Sequence, residues 1–337
     1  MNAKKLELIL EKYAKIIEPV VIQFLDSGID IKTKPLVNYQ ISTGGKRLRP
    51  VIAIICCQLF GGKIKDVIMA AAGLEILHNY SLISDDMIDQ SRLRRGQPTV
   101  WTKFGTSIAE CVAVDYGVTV FQGANRSKEP QKISEILAKT IKKIVDGQIL
   151  DILFEQNGRT GEHYVVKNRY KKITEREYFK MVSEKTSAPF EAACEIGGIC
   201  TGVTKKKLNF LRKFGFNLGI AFQIKDDYLD IFGGSDQEPG KDIKERKLGN
   251  LVILLALREL SIKDKNKLIS IMKKKNITQN DINVGVKIIS QTNAGNKALA
   301  IGERYIRKAK ESLLALPENK WNNLLAEIAD FVINREK

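Results

Sequence analysis

The 337-residue chain has little of several things, and each shortage excludes something. It has only five cysteines, Cys56, Cys57, Cys111, Cys194 and Cys200. Their number is odd and no C-x-x-C pair occurs, which argues against a disulfide framework or a thiolate metal site. Most lie in apolar stretches and read as small core residues in a reducing cytoplasm. No run of about 18 uncharged apolar residues is present, so no transmembrane segment is expected. The first twenty residues carry charges every few positions and lack a continuous apolar signal region. Only eight prolines occur, most of them at breaks in pattern. Alternating strand patterns joined by Asn-Gly or Asp-Gly turns are absent, as are long Ser-, Gly- or Pro-rich linkers. The chain therefore reads as one domain over residues 1–337.

What is present is helical periodicity. Apolar runs with a helical repeat fill about 51–60, 66–90, 103–124, 131–156, 175–200, 205–232 and 248–260. Helices so long and so apolar imply an all-α, single-domain, multi-helix bundle with buried central helices around a cavity. The formal charge is +16, which suits anionic partners such as diphosphates, nucleic acid or an acidic membrane. The lysines are scattered, and no nucleic-acid-binding motif accompanies them, so no nucleic-acid partner is expected.

One pattern recurs about 140 residues apart. Asp85, Asp86 and Asp89 form one D-D-x-x-D, and Asp226, Asp227 and Asp230 form another. Each ends an apolar helix. At about 100° per residue, positions i and i+4 stack on one face, with i+1 to the side. Three carboxylates so placed repel one another and resist desolvation. A divalent cation with hard oxygen preference relieves both problems, and Mg²⁺ leaves room for water and phosphate. His78 lies seven residues before Asp85, and Gln223 lies seven before Asp230 and four before Asp227. Both share the acidic faces.

Basic residues cluster at breaks between helices. Lys46 and Arg49 follow Gly44-Gly45, Arg94 and Arg95 precede Gly96, and Lys185-Thr186 lies within a long helix. Lys241 and Lys247 come soon after the second triplet. Guanidinium forks and ammonium groups are natural partners of diphosphate oxygens. Acidic triplets for metal plus separate basic clusters imply two diphosphate sites of different character.

In these motifs the chain resembles the polyprenyl synthetase family, the trans-isoprenyl diphosphate synthases. G-G-K-R-L-R-P, D-D-M-I-D, R-R-G-Q-P-T, G-Q-x-x-D (Gly147, Gln148, Asp151), K-T and F-Q-x-x-D-D-Y-L-D stand in the family's order over about residues 44–252. The resemblance implies a head-to-tail condensation of isopentenyl diphosphate with an allylic diphosphate, and a homodimer. It implies that Asp85, Asp89 and Asp226 ligate Mg²⁺, with Asp86, Asp227 and Asp230 in support. Arg94, Lys185 and Lys247 would grip the allylic diphosphate. Lys46, Arg49, His78 and Arg95 would hold isopentenyl diphosphate without metal. Oxygens of Lys185, Thr186 and Gln223 would face the allylic cation. Two departures stand out: the loop IFGGSDQEPGKD after Asp230 is short, leaving Lys241 without an assigned role, and Arg246 stands where glycine is common.

Within the family an aromatic about five residues before the first triplet acts as a floor for the growing chain. Here Tyr80 stands there, followed by the small Ser81, at ~7 Å along the helix from Asp85. That resembles geranylgeranyl diphosphate synthases. The alternatives are a farnesyl diphosphate synthase, a non-catalytic subunit of a prenyl synthase, or a class I terpene cyclase, whose second metal motif the intact second triplet does not match.

Overall fold

A computed structural model describes residues 3–235 and 238–336. Among the described residues the chain is all-α apart from one small hairpin. The first helices are α1 (Ala3–Leu25), α2 (Lys34–Ser42), α3 (Leu48–Leu59) and α4 (Ile64–Ile88). After the hairpin come α5 (Val100–Phe104), α6 (Thr106–Asn125), α7 (Pro130–Phe154), α8 (His163–Asn168) and α9 (Glu175–Val182). A π-turn, Ser183–Ser187, leads into α10 (Ala188–Ile199) and the long α11 (Lys205–Phe232). The remainder is α12 (Lys241–Lys244), α13 (Leu251–Glu259), α14 (Ile262–Met272), α15 (Gln279–Ser290), α16 (Ala294–Leu313) and α17 (Lys320–Asn334).

Two compact units emerge. The first holds Met1–Lys142, Pro189–Gly215 and Ser312–Ile328, and the second Lys143–Ala188, Phe216–Glu311 and Ala329–Lys337.

The first unit is built on α3, α4 and α6. Ile52, Ile54 and Ile55 of α3 and Leu74, Ile76 and Leu77 of α4 are completely buried. Each such side chain contributes ~1.5–3 kcal/mol of transfer free energy. Helix α4 is the one described helix long and apolar enough to cross a membrane, yet two-thirds of its apolar window is buried inside the protein. Its composition is that of a core helix. The Tyr116 hydroxyl on α6 donates to the Val37 carbonyl at 2.7 Å, which ties α2 to this core.

The second unit packs around α11 and α13, with Phe154, Tyr178, Ile220, Ile224, Leu251 and Ile253 at its centre. Local chemistry sets the helix starts. Thr174 and Glu177 form a reciprocal capping box at α9, and Thr278 and Asp281 form another at α15. The Asn250 side chain accepts from the Ile253 N–H at the start of α13.

The sequence reading missed three features. The run 103–124 is two helices, divided at Gly105. The run 175–200 is broken by the π-turn. The expected absence of hairpins fails at β1 (Leu93–Arg94) and β2 (Gln97–Pro98), which pair antiparallel. Their two-residue loop is Arg95-Gly96, with φ of 54° and 74°. Positive φ at both central positions matches the strand twist. An arginine taking the first of those positions is why no Asn-Gly or Asp-Gly signal announced the turn.

Candidate active site

In the first unit, Asp85 sits on the last turn of α4 and Asp89 caps its C-terminal end, both partly exposed. Asp86 between them is 1% exposed. Its carboxylate is gripped by Arg94 of the hairpin, with Nε at 2.9 Å and Nη2 at 2.7 Å. A bidentate guanidinium is the strongest available partner for a buried carboxylate. The neighbouring acids Asp86, Asp85 and Asp89 raise the Arg94 pKa despite its burial. Arg94 therefore supports Asp86 in this structure, a contact beyond the diphosphate role the motif suggested.

The hairpin turn places Arg95 elsewhere. Its guanidinium donates to the Gly44 carbonyl and packs against Gly45, on the loop that carries the exposed Lys46. Arg49 Nη1 lies 3.2 Å from His78 Nε2 and its guanidinium stacks 4.6 Å above the Phe190 ring. Burial, and then Arg49, Arg95 and Arg94, hold the His78 pKa well below the ordinary value. The imidazole is thus neutral and accepts from Arg49. All four residues expected to hold isopentenyl diphosphate belong to this unit, and Arg49 touches His78 directly. Arg47, between Lys46 and Arg49, is spent on structure: it is 3% exposed and pairs with Glu75 at 2.9 Å.

Tyr80 is half-buried, and its ring lies beside Gly117 of α6, where an added Cβ would come within 3.7 Å. The Ser81 hydroxyl donates to the His78 carbonyl at 2.8 Å.

In the second unit, Lys185 and Thr186 lie in the π-turn. A π-turn widens the helix, and here it delivers two consecutive side chains to two different partners. Lys185 Nζ donates to Asp151 Oδ2 at 2.7 Å, and Lys247 Nζ lies 3.8 Å from the same oxygen. Burial pushes the Asp151 carboxyl up, but Lys185 and Lys247 outweigh it and hold it at about 2. Thr186 Oγ1 donates to Gln223 Oε1 at 2.6 Å. Gln223 Nε2 in turn donates to Asp227 Oδ1 at 2.9 Å.

Asp227 is 2% exposed. Its other oxygen accepts from the Tyr178 hydroxyl at 2.6 Å and the Leu251 N–H at 2.8 Å. Burial pushes its carboxyl up to about 7, against the lowering effect of Gln223, Leu251 and Tyr178. Asp227 is thus a hub that orients Gln223 and, through it, Thr186.

The flanking acids are more open. Asp226 pairs with Arg335, whose guanidinium stacks 3.9 Å over Phe222. Asp230 lies 3.7 Å from Lys241, and burial raises its pKa while Lys241 opposes the rise. The short loop therefore gives Lys241 a partner. Asp236 and Gln237 of that loop lie outside the described residues.

The donors at both triplets are oxygens only, which suits a hard divalent cation. Among the described residues no three His, Cys, Asp or Glu side chains converge to enclose an ion by themselves.

Sequence reasoning missed Tyr178, Asn250 and Arg335. Each reaches Asp226 or Asp227 from a distant part of the chain and carries no local motif.

The polyprenyl synthetase family model matches residues 32–289. The chain is 33% identical to a short chain isoprenyl diphosphate synthase of Methanothermobacter thermautotrophicus, over 97% of this chain and 98% of that one. Among solved structures it is similar to the geranylgeranyl pyrophosphate synthetase of Pyrococcus horikoshii, with 27% identity, TM-score 0.88 and complete coverage of both chains. It is also similar to a polyprenyl synthase of Caulobacter crescentus complexed with calcium and isoprenyl diphosphate, with 27% identity, TM-score 0.87, and 99% and 98% coverage.

Proposed function

The chain belongs to the polyprenyl synthetase family and is a prenyltransferase of that type, and we propose that it makes geranylgeranyl diphosphate. The substrates are isopentenyl diphosphate and the allylic dimethylallyl, geranyl and farnesyl diphosphates. The observation that carries the chain-length reading is the Tyr80 ring, lodged beside Gly117 a turn and a half before Asp85. The Pyrococcus horikoshii relative, named for a geranylgeranyl product, supports it.

Mg²⁺ held by Asp85, Asp89 and Asp226, with Asp230 and the buried Asp86 and Asp227 in support, would neutralise charge developing on the leaving diphosphate. The calcium and isoprenyl diphosphate in the Caulobacter crescentus structure support a divalent ion here. Lys185, Lys247 and Arg94 hold the allylic diphosphate, so the allylic C–O bond breaks against fixed positive charge. Thr186 and Gln223, kept in register by Asp227, turn oxygen dipoles toward the allylic cation. Lys46, Arg49, neutral His78 and Arg95 hold isopentenyl diphosphate. Its double bond forms the new C–C bond, and the proton lost from the adjacent carbon goes to the released diphosphate. Orientation of the two substrates supplies much of the rate.

The protein works as a homodimer in the cytoplasm. The exposed apolar stripe Cys111, Val114 and Val118 on α6 supports the dimer. The five free thiols support a reducing compartment.

The test is product analysis with Mg²⁺, isopentenyl diphosphate and each allylic primer. A twenty-carbon product, lost with EDTA and in Asp85→Ala, is expected. Tyr80→Ala should lengthen it, and an unchanged product would sink the floor argument. A fifteen-carbon limit would make the protein a farnesyl diphosphate synthase. No turnover by folded protein would make it a non-catalytic partner subunit.

A further inference from the structure

Arg246 takes a left-handed backbone conformation, with φ of 63°. Glycine adopts that region freely, whereas an arginine is strained there. The strained residue stands immediately before Lys247, in the connection between α12 and α13. Strain of this kind persists only where the surroundings hold it.

What holds it is the side chain. The guanidinium reaches across to the turn between α14 and α15. Its Nη2 donates to the Lys275 carbonyl at 2.8 Å, and its Nε donates to the Lys274 carbonyl at 3.2 Å. Its Nη1 donates back to the Lys244 carbonyl of α12 at 3.4 Å. The Arg246 carbonyl accepts from the Gln156 N–H at 3.0 Å. The Asn157 side chain donates to the Lys273 carbonyl in the same turn. Three segments far apart in sequence therefore meet here: 156–157 after α7, the 245–250 connection, and 273–275 after α14. Lys247 follows directly, its N–H on the Asp242 carbonyl at 2.9 Å and its Nζ 3.8 Å from Asp151. A glycine at 246 would keep the backbone bond to Gln156 and lose all three guanidinium bonds.

We propose that Arg246 is a positioning residue: its guanidinium straps the 245–250 connection to the α14–α15 turn and so holds Lys247 ready for the allylic diphosphate. The inference rests on the function proposed above. Without the strap, binding must first order the connection, and apparent affinity falls by the fraction of molecules already in place. The arginine moves that ordering into the folding of the protein, at the cost of a strained backbone.

The test compares wild type with Arg246→Gly. Hydrogen exchange without ligand reads residues 245–250. Calorimetry follows binding of farnesyl S-thiolodiphosphate with Mg²⁺ and, separately, of isopentenyl diphosphate. Steady-state kinetics gives kcat and KM for farnesyl diphosphate. The variant should melt close to wild type, because relief of backbone strain offsets three solvent-exposed hydrogen bonds. Exchange at 245–250 should speed up. The allylic analogue should bind about fivefold more weakly, and KM should rise with kcat held, since bound substrate restores the order. Isopentenyl diphosphate should bind as it does to wild type. Unchanged exchange, or unchanged affinity for the analogue, overturns the inference and leaves the proposed function standing. So does a fall in kcat at constant KM, which would place the effect on the reaction step. An equal loss for both ligands, or an Arg246→Gly protein that fails to fold, also overturns it, since the arginine would then serve the fold as a whole. Wild type that binds neither diphosphate removes the proposed function and the inference together.

Discussion

The two D-D-x-x-D triplets share a pattern and a buried middle residue, yet their surroundings are opposite. Asp86 is clamped by a cation, Arg94, in a unit crowded with Arg47, Arg49 and Arg95. The Asp227 carboxylate has no cation among its described hydrogen bonds, only Gln223, Tyr178 and the Leu251 N–H, with Asp226 and Asp230 on the same helix and Asp242 on α12. The titration shifts mirror this. The first region holds an imidazole neutral by withholding its proton, and the second holds a carboxyl up at about 7 by retaining one. A repeated motif fixes the backbone spacing of three acids. What each acid can do is decided by the partners that long-range folding brings to it.

The sharpest way to break the comparison is to remove the middle charge from each triplet. Asp86→Asn strands the partly buried Arg94 and should cost about 2–3 kcal/mol, read as a fall in denaturant midpoint. Asp227→Asn should cost under about 1 kcal/mol. Its new amide can face Gln223 if that side chain flips and the Thr186 hydrogen bond reverses direction. Reversal turns the Gln223 dipole around, so kcat should fall by at least about tenfold in a protein that is otherwise stable. Equal stability losses in the two variants would show that the partners do not matter.

Glycines give a second contrast. Gly147→Ala drives a Cβ into the backbone of the π-turn and should cost about 2 kcal/mol, with loss of activity. Gly117→Ala meets the Tyr80 ring at an ordinary distance and should gain up to about 1 kcal/mol, with the product unchanged.

The smallest effect concerns pH. The His78 pKa is lower in the folded protein than in the unfolded chain, so the unfolded state takes up the proton first as pH falls. The stability is present above about pH 6.5 and declines as pH drops toward the folded value. His78→Gln keeps an acceptor for Arg49 and cannot titrate. Its melting temperature should fall less steeply between pH 7 and 5 than that of wild type. Identical slopes would mean the cation crowding at His78 is not felt.

The all-α class, both triplets and the basic motifs were legible because each is written in local spacing. Periodicity marked α4 and α11, and the i, i+1, i+4 placement of the acids follows from helix geometry. The division of labour inside each triplet was not legible. Asp86 and Asp227 read like their neighbours, and only the arrival of Arg94, or of Tyr178 from α9 and Leu251 from α13, separates them. Arg335 lies more than a hundred residues from Asp226, with no pattern linking the two. The π-turn left no sign either, because Ser-Glu-Lys-Thr-Ser is compatible with an ordinary helix.

That π-turn makes chain length itself a functional variable. Five residues occupy a span that an α-helix would cover with about four. Deleting any one of Ser183–Ser187 would let the run from α9 to α10 close into regular α-helix, the better hydrogen-bonded form. It would also re-phase the residues on one side of the cut by about 100°. Lys185 would then leave Asp151, or Thr186 would leave Gln223. A gap of one residue in this segment, in any related chain, is thus a stronger sign of lost catalysis than most substitutions there, although the helix it produces is sounder than the one it replaces.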